Sequence, residues 1–188
     1  MFGFLKSHRR TQDGPDEEDD WPSIVLLLRE AVLPSAEEAI EMAGTAWGAA
    51  GQVELLGAVG PHNFVIRVAP LTFALHAVGS RYEAETGQLN AMQKQCWDQH
   101  SAWLSVDLPG RQVGVLRQSG QLAGAYKSLM YFVLRHWSQN CSALYFPSEQ
   151  ATLPNYGDLI DSIRSARRDG INLDFLKENK AQLKGQVQ

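Results

Sequence analysis

Cys96, Asp98 and His100 fall within five residues of one stretch, KQCWDQHSAWLSVD, residues 94–107. On a continuous helix Cys96 and His100, four apart, share a face. At that spacing a thiol can be paired with a base, or two ligands can meet a metal. The pattern beyond His100 speaks against a continuous helix. Ala102, Leu104 and Val106 alternate with Ser101, Trp103, Ser105 and Asp107, the period of two of a strand. A helix ending near Trp97 or Asp98 and a strand starting near His100 aim the two side chains independently. Cys96 is therefore read as a packing residue, and His100 as a residue that caps the helix end or hydrogen-bonds a loop. If a site exists in this region, its candidate residues are Cys96, His100, Trp103 and Asp107.

Other chemical signatures are absent from the sequence. Neither C-x-x-C nor H-E-x-x-H occurs, so no metal site is expected, and no G-x-G-x-x-G, G-x-x-x-x-G-K-[ST] or G-x-S-x-G is present. Glu54, Glu85 and Asp107 lie on or near regular elements, without a spacing that forces two carboxyl groups together. His62, His76 and His136 are scattered and read as surface or packing residues. No catalytic residue and no cofactor are expected from these patterns.

The elements that must position such residues can be followed along the chain. Residues 1–20 hold three basic residues against six acidic ones, so this leader carries −3 and the rest of the chain about −1. The leader lacks apolar periodicity and is expected to be disordered. Residues 21–183 are read as a single α/β domain, followed by a polar tail at 184–188. SIVLLLREAV is a continuous apolar run, as in a strand covered on both faces. Pro34 ends it, and Ser35 with Glu38 forms a capping box for a helix to about Gly48, with Ala39, Ile40, Ala43, Ala46, Trp47 and Ala50 on one side. VELLGAVG and NFVIRVAP read as a hairpin joined by GPHN, and LTFALHAVGSRY as its extension or a third strand. A second helix is expected from about Arg81 to Trp97, then the strand HSAWLSVDL.

This order, β-α-β-β-α-β, is that of a ferredoxin-like split βαβ unit, with helices mainly on one face of a mixed sheet. The fold class is thus α+β, extended by further helix-strand-helix elements. These are one longer helix between Gly114 and Trp137, the strand CSALYFP, and a helix over NYGDLIDSIRSARRDG with Gly170 as its cap. In the longer helix Gly120 and Gly124 are spaced for close packing against another element. INLDFLKENKAQLK is expected to pack back on the body.

Apolar residues make up 44% of 188, with five tryptophans, the composition of a globular chain. The nearly neutral body offers no broad cationic field to a phosphate backbone, so nucleic acid is not an expected partner. Arg164, Arg167, Arg168, Lys177, Lys180 and Lys184 read as a solvated helical face. Cys96 and Cys141 do not form a disulfide framework and suit a reducing compartment. MFGFLKSHRR has neither the order nor the roughly 7–15 apolar residues of a secretory signal. No stretch is long enough to span a membrane. The expectation is a cytoplasmic protein.

Three landmarks, VLLLREAVLPSAEEAIEMAGTAWG, CWDQHSAWLSV and AYKSLMYFVLRHWSQNCSALYFP, resemble a bacterial family known as domain of unknown function 4261, over about Ser23 to Pro154. In that pattern a Trp-bearing helix leads into a strand of the H-x-A-x-L-x-V kind, and a long helix leads into a strand like ALYFP. This sequence departs at Ser101-Ala102-Trp103. The family's activity is unknown, so the resemblance implies no catalytic residues.

Two functional readings follow. The first is a non-catalytic module that binds a protein partner or a small ligand, of regulatory or immunity type, using aromatics such as Trp21, Trp47, Trp103, Tyr145 and Tyr156 as exposed anchors. An open sheet edge would also allow a homodimer. The second is an enzyme or redox-active protein using Cys96 or Cys141 with a histidine brought near by folding.

Overall fold

The computed structural model describes residues 23–48, 52–84, 86, 88–147 and 150–155. Seven strands form one sheet: β1 (Ser23–Leu28), β2 (Val53–Ala58), β3 (Asn63–Val68), β4 (Leu71–Val78), β5 (Ala102–Asp107), β6 (Cys141–Phe146) and β7 (Ala151–Pro154). Among the described residues four helices connect them: α1 (Ala36–Trp47), α2 (Ala91–Gln99), α3 (Gly110–Gln118) and α4 (Leu122–Trp137). The strand order is β2-β3-β4-β5-β1-β6-β7, and every pair is antiparallel. Among the described residues no helix is long and apolar enough to cross a membrane.

The α+β class stands, and the finer expectations are corrected. The sheet is antiparallel, not mixed. In a split βαβ unit one strand lies between the two that the helix joins. Here β3, β4 and β5 all lie between β1 and β2, because α2 returns the chain to the neighbour of β4 instead of carrying it across the sheet. The split arrangement is found later: β5 and β6 flank β1, with α3 and α4 as the crossover.

Among the described helices, α1, α3 and α4 lie on one face and α2 on the other. Ile24, Leu26 and Leu28 of β1 point to a large core shared with α1, α3 and α4, while Val25 and Leu27 point to a smaller one beneath α2. This two-sided cover is the reason that β1 reads as an unbroken apolar run. β4, by contrast, alternates buried Leu71, Phe73, Leu75 and Ala77 with half-buried Thr72, Ala74, His76 and Val78. Among the described residues no helix packs over the second of these faces.

The helix boundaries have local causes. Ser35 and Glu38 form the expected capping box, and Gly48 closes α1 with φ 64°. The second helix starts at Ala91 rather than Arg81, because Asn90 and Gln93 form a capping box of their own. The single long helix expected between Gly114 and Trp137 is two. Gly120, at φ 70°, ends α3 in a Schellman motif, with its N–H donating to the Arg117 carbonyl and the Gln121 N–H to that of Leu116. Neither Gly120 nor Gly124 has a neighbour within 4 Å of where a Cβ would stand, so their spacing serves no close packing. The leader, Trp21, the segment from Tyr156 onward with its expected helices and basic residues, and the polar tail lie outside the described residues.

Candidate functional site

The stretch around Cys96 folds as a helix end followed by a strand. His100 is the C-cap of α2 and is buried. Its Nε2 accepts the Tyr82 backbone N–H at 3.0 Å, and its Nδ1 lies against the Trp97 carbonyl. A backbone N–H can only donate, so Nε2 bears the lone pair and Nδ1 the proton that goes to Trp97. Both nitrogens are committed, and the ring is a strut. Burial lowers its pKa against the bond that Nδ1–H gives to the Trp97 carbonyl, and the positive Arg81 lowers it further.

Arg81 completes the clasp. Its Nε donates to the His100 carbonyl at 3.0 Å, and its Nη2 to the carbonyls of Trp97 at 3.1 Å and Asp98. A guanidinium at the C-terminus of a helix satisfies carbonyls that have no partner within it. The segment after β4 is thereby fixed to the end of α2 from two sides. The helix is also fixed to β7, since Gln93 Nε2 donates to the Thr152 carbonyl at 2.9 Å and Trp97 Nε1 to Thr152 Oγ1 at 3.0 Å.

Cys96 is half-buried and packs beside Trp97, Tyr82 and Trp103 on the core formed by Val25, Leu27, Ala143 and Tyr145. Burial raises its pKa against a smaller opposing pull from Arg29. Cys141 lies in the other core, with its thiol pushed up to about 12 by burial. A thiolate is the reactive form, and neither environment favours it.

Trp103 and Asp107 belong to one face of β5, where the register builds rows across the sheet. Asn63, His76, Ser105, Val25, Tyr145 and Thr152 stand opposite one another in turn. Ala74 and Asp107 form part of the next row, and Val78 and Trp103 part of the row on the other side. Ser105 Oγ donates to Asp107 Oδ2 at 2.9 Å, and His76 Nε2 stands 3.8 Å from the same oxygen. His76 Nδ1 lies 3.3 Å from Asn63 Oδ1. Serine, histidine and aspartate thus meet, with the serine hydroxyl donating to the carboxylate and not to the histidine.

Of the expected anchors within the described residues, Tyr145 is buried and Trp47 and Trp103 are half-buried: Trp47 stacks on Phe73 at 5.8 Å, and Tyr82 meets Trp103 edge-on at 5.1 Å. The large apolar side chains exposed among the described residues are aliphatic: Val32, Leu56, Val59, Val65, Met92 and Val115.

Sequence reasoning missed the concave feature of this region. Between the segment after β4 and α2 opens a hollow of about 530 Å³, lined by Tyr82, Glu83, Ala84, Thr86, Leu89, Lys94, Trp97 and Asp98. The rings of Tyr82 and Trp97 are 6.3 Å apart. Lys94, Trp97 and Asp98 follow the helical spacing of three and four along α2, a visible signal, but nothing in the sequence places Tyr82 and Glu83 opposite them. Among the described residues no three His, Cys, Asp or Glu side chains converge as a metal site requires. No family model matches the chain, and no curated protein or solved structure matches it.

Proposed function

We propose that the protein is a non-catalytic binding module whose ligand enters the hollow between the segment after β4 and α2. The observation that carries this reading is preorganisation. Tyr82, Trp97 and three charged side chains line an open hollow of about 530 Å³, and Arg81 and His100 tie the segment after β4 to α2 without a ligand. A regulatory or immunity-type role is the setting we propose for such a module. The resemblance to domain of unknown function 4261 is part of the same proposal and rests on the three landmark stretches alone. The reading of Cys96 or Cys141 as an active thiol has no comparable support, since burial raises both and His100 has no free nitrogen.

The test is a screen of small polar and aromatic fragments by NMR on the 15N-labelled chain. Hits are expected to shift the indole N–H of Trp97 and the backbone amides of Tyr82, Glu83 and Lys94. Hits confined to the open face around Val65 and His76 would move the site elsewhere.

A further inference from the structure

We infer that the hollow takes a small organic cation, of the ammonium or guanidinium class. The inference rests on the binding reading above and adds the chemistry of the ligand. Two electron-rich rings, Tyr82 and Trp97, line the hollow, and two carboxylates, Glu83 and Asp98, stand at its rim against the single ammonium of Lys94. The face of such a ring carries negative charge density that attracts a cation.

Several donors nearby are already engaged. The Trp97 indole N–H is given to Thr152, the Tyr82 backbone N–H to His100, and Nε and Nη2 of Arg81 to three carbonyls at the end of α2. Of the cationic side chains, Lys94 alone lines the hollow, against two carboxylates. A cation finds two aromatic side chains and a lining of net negative charge.

The experiment titrates the full 15N-labelled chain, at constant ionic strength, with choline chloride and with 3,3-dimethylbutan-1-ol, its neutral counterpart of the same shape. Methyl glucoside and inorganic phosphate complete the set. Choline is expected to shift the Trp97 indole N–H and to bind about tenfold tighter than the alcohol. The double variant Glu83→Gln/Asp98→Asn, both exposed positions, is expected to lose about fivefold of that affinity, and Lys94→Gln to gain about twofold. Equal binding of alcohol and choline, or preference for the glucoside or phosphate at the same resonances, overturns the cation class and leaves the binding reading standing. If none of the four shifts Trp97 or its neighbours, both fall.

Discussion

Strands β5, β1 and β6 and strands β2, β3 and β4 belong to one sheet, yet the two halves live in different surroundings. In the first, α4 covers one face and α2 the other, and β1 is apolar on both sides. In the second, α1 and α3 lie over one face, while Val65, Arg67, Thr72, Ala74 and His76 form the other. Every described part of the candidate site lies at the first half or at its border with the second. A hollow needs a second layer to make its wall, and among the described residues only α2 and the segment before it supply one on that face.

The sharpest way to break this contrast is to remove the same kind of bulk from each half. Leu26, with no exposure, lies at the centre of the covered half, and Leu26→Ala is expected to cost about 2–5 kcal/mol. Val65→Ala, on the uncovered face, is expected to cost less than about 1 kcal/mol. Urea unfolding of both variants checks the difference, and equal costs would mean that the second face of the wing is covered after all.

Next in size is the clasp. Arg81→Ala removes hydrogen bonds to three helix-end carbonyls, and a loss of about 1–2 kcal/mol is expected. Hydrogen exchange should locate the loosening at Tyr82 and the last turn of α2, with the β2-β3-β4 wing unchanged.

Smaller still is a pH effect. Burial sets the pKa of His100 and of His136 below the ordinary 6.5, so the folded state holds fewer protons than the unfolded one in acid. Their contribution is complete above pH 6.5 and is lost as pH falls through the folded values. Stability measured by urea unfolding is expected to decline below pH 6.5, and His100→Gln, which does not titrate, to make that decline shallower.

Much of this architecture was legible. The unbroken apolar run of β1 announced cover on both faces, and Ser35-x-x-Glu38 announced the start of α1. Asn90-x-x-Gln93 carried the same kind of signal for α2, but the helix was expected ten residues earlier, across a segment that instead forms one wall of the hollow. What no local pattern holds is the insertion of β5 between β4 and β1, a pairing made at a distance along the chain. The site depends on that pairing: it sets His76 opposite Ser105, with Asp107 close by. It also brings Tyr82 back over α2, where Trp97 and Asp98 wait. The reading of Cys96 and His100 as architecture was available because the period changes at His100, and a change of period is local.

The measurement that tests this account most directly is the alkylation rate of Cys96 by iodoacetamide in the native protein, followed by mass spectrometry as a function of pH. If Cys96 is a packing residue and His100 a strut, its rate at neutral pH lies below that of a free cysteine and rises only beyond the ordinary thiol pKa. Cys141 should stay unlabelled until the protein unfolds. Fast alkylation of Cys96 with an inflection below neutral pH would mark a thiolate activated by a base, and would contradict the account.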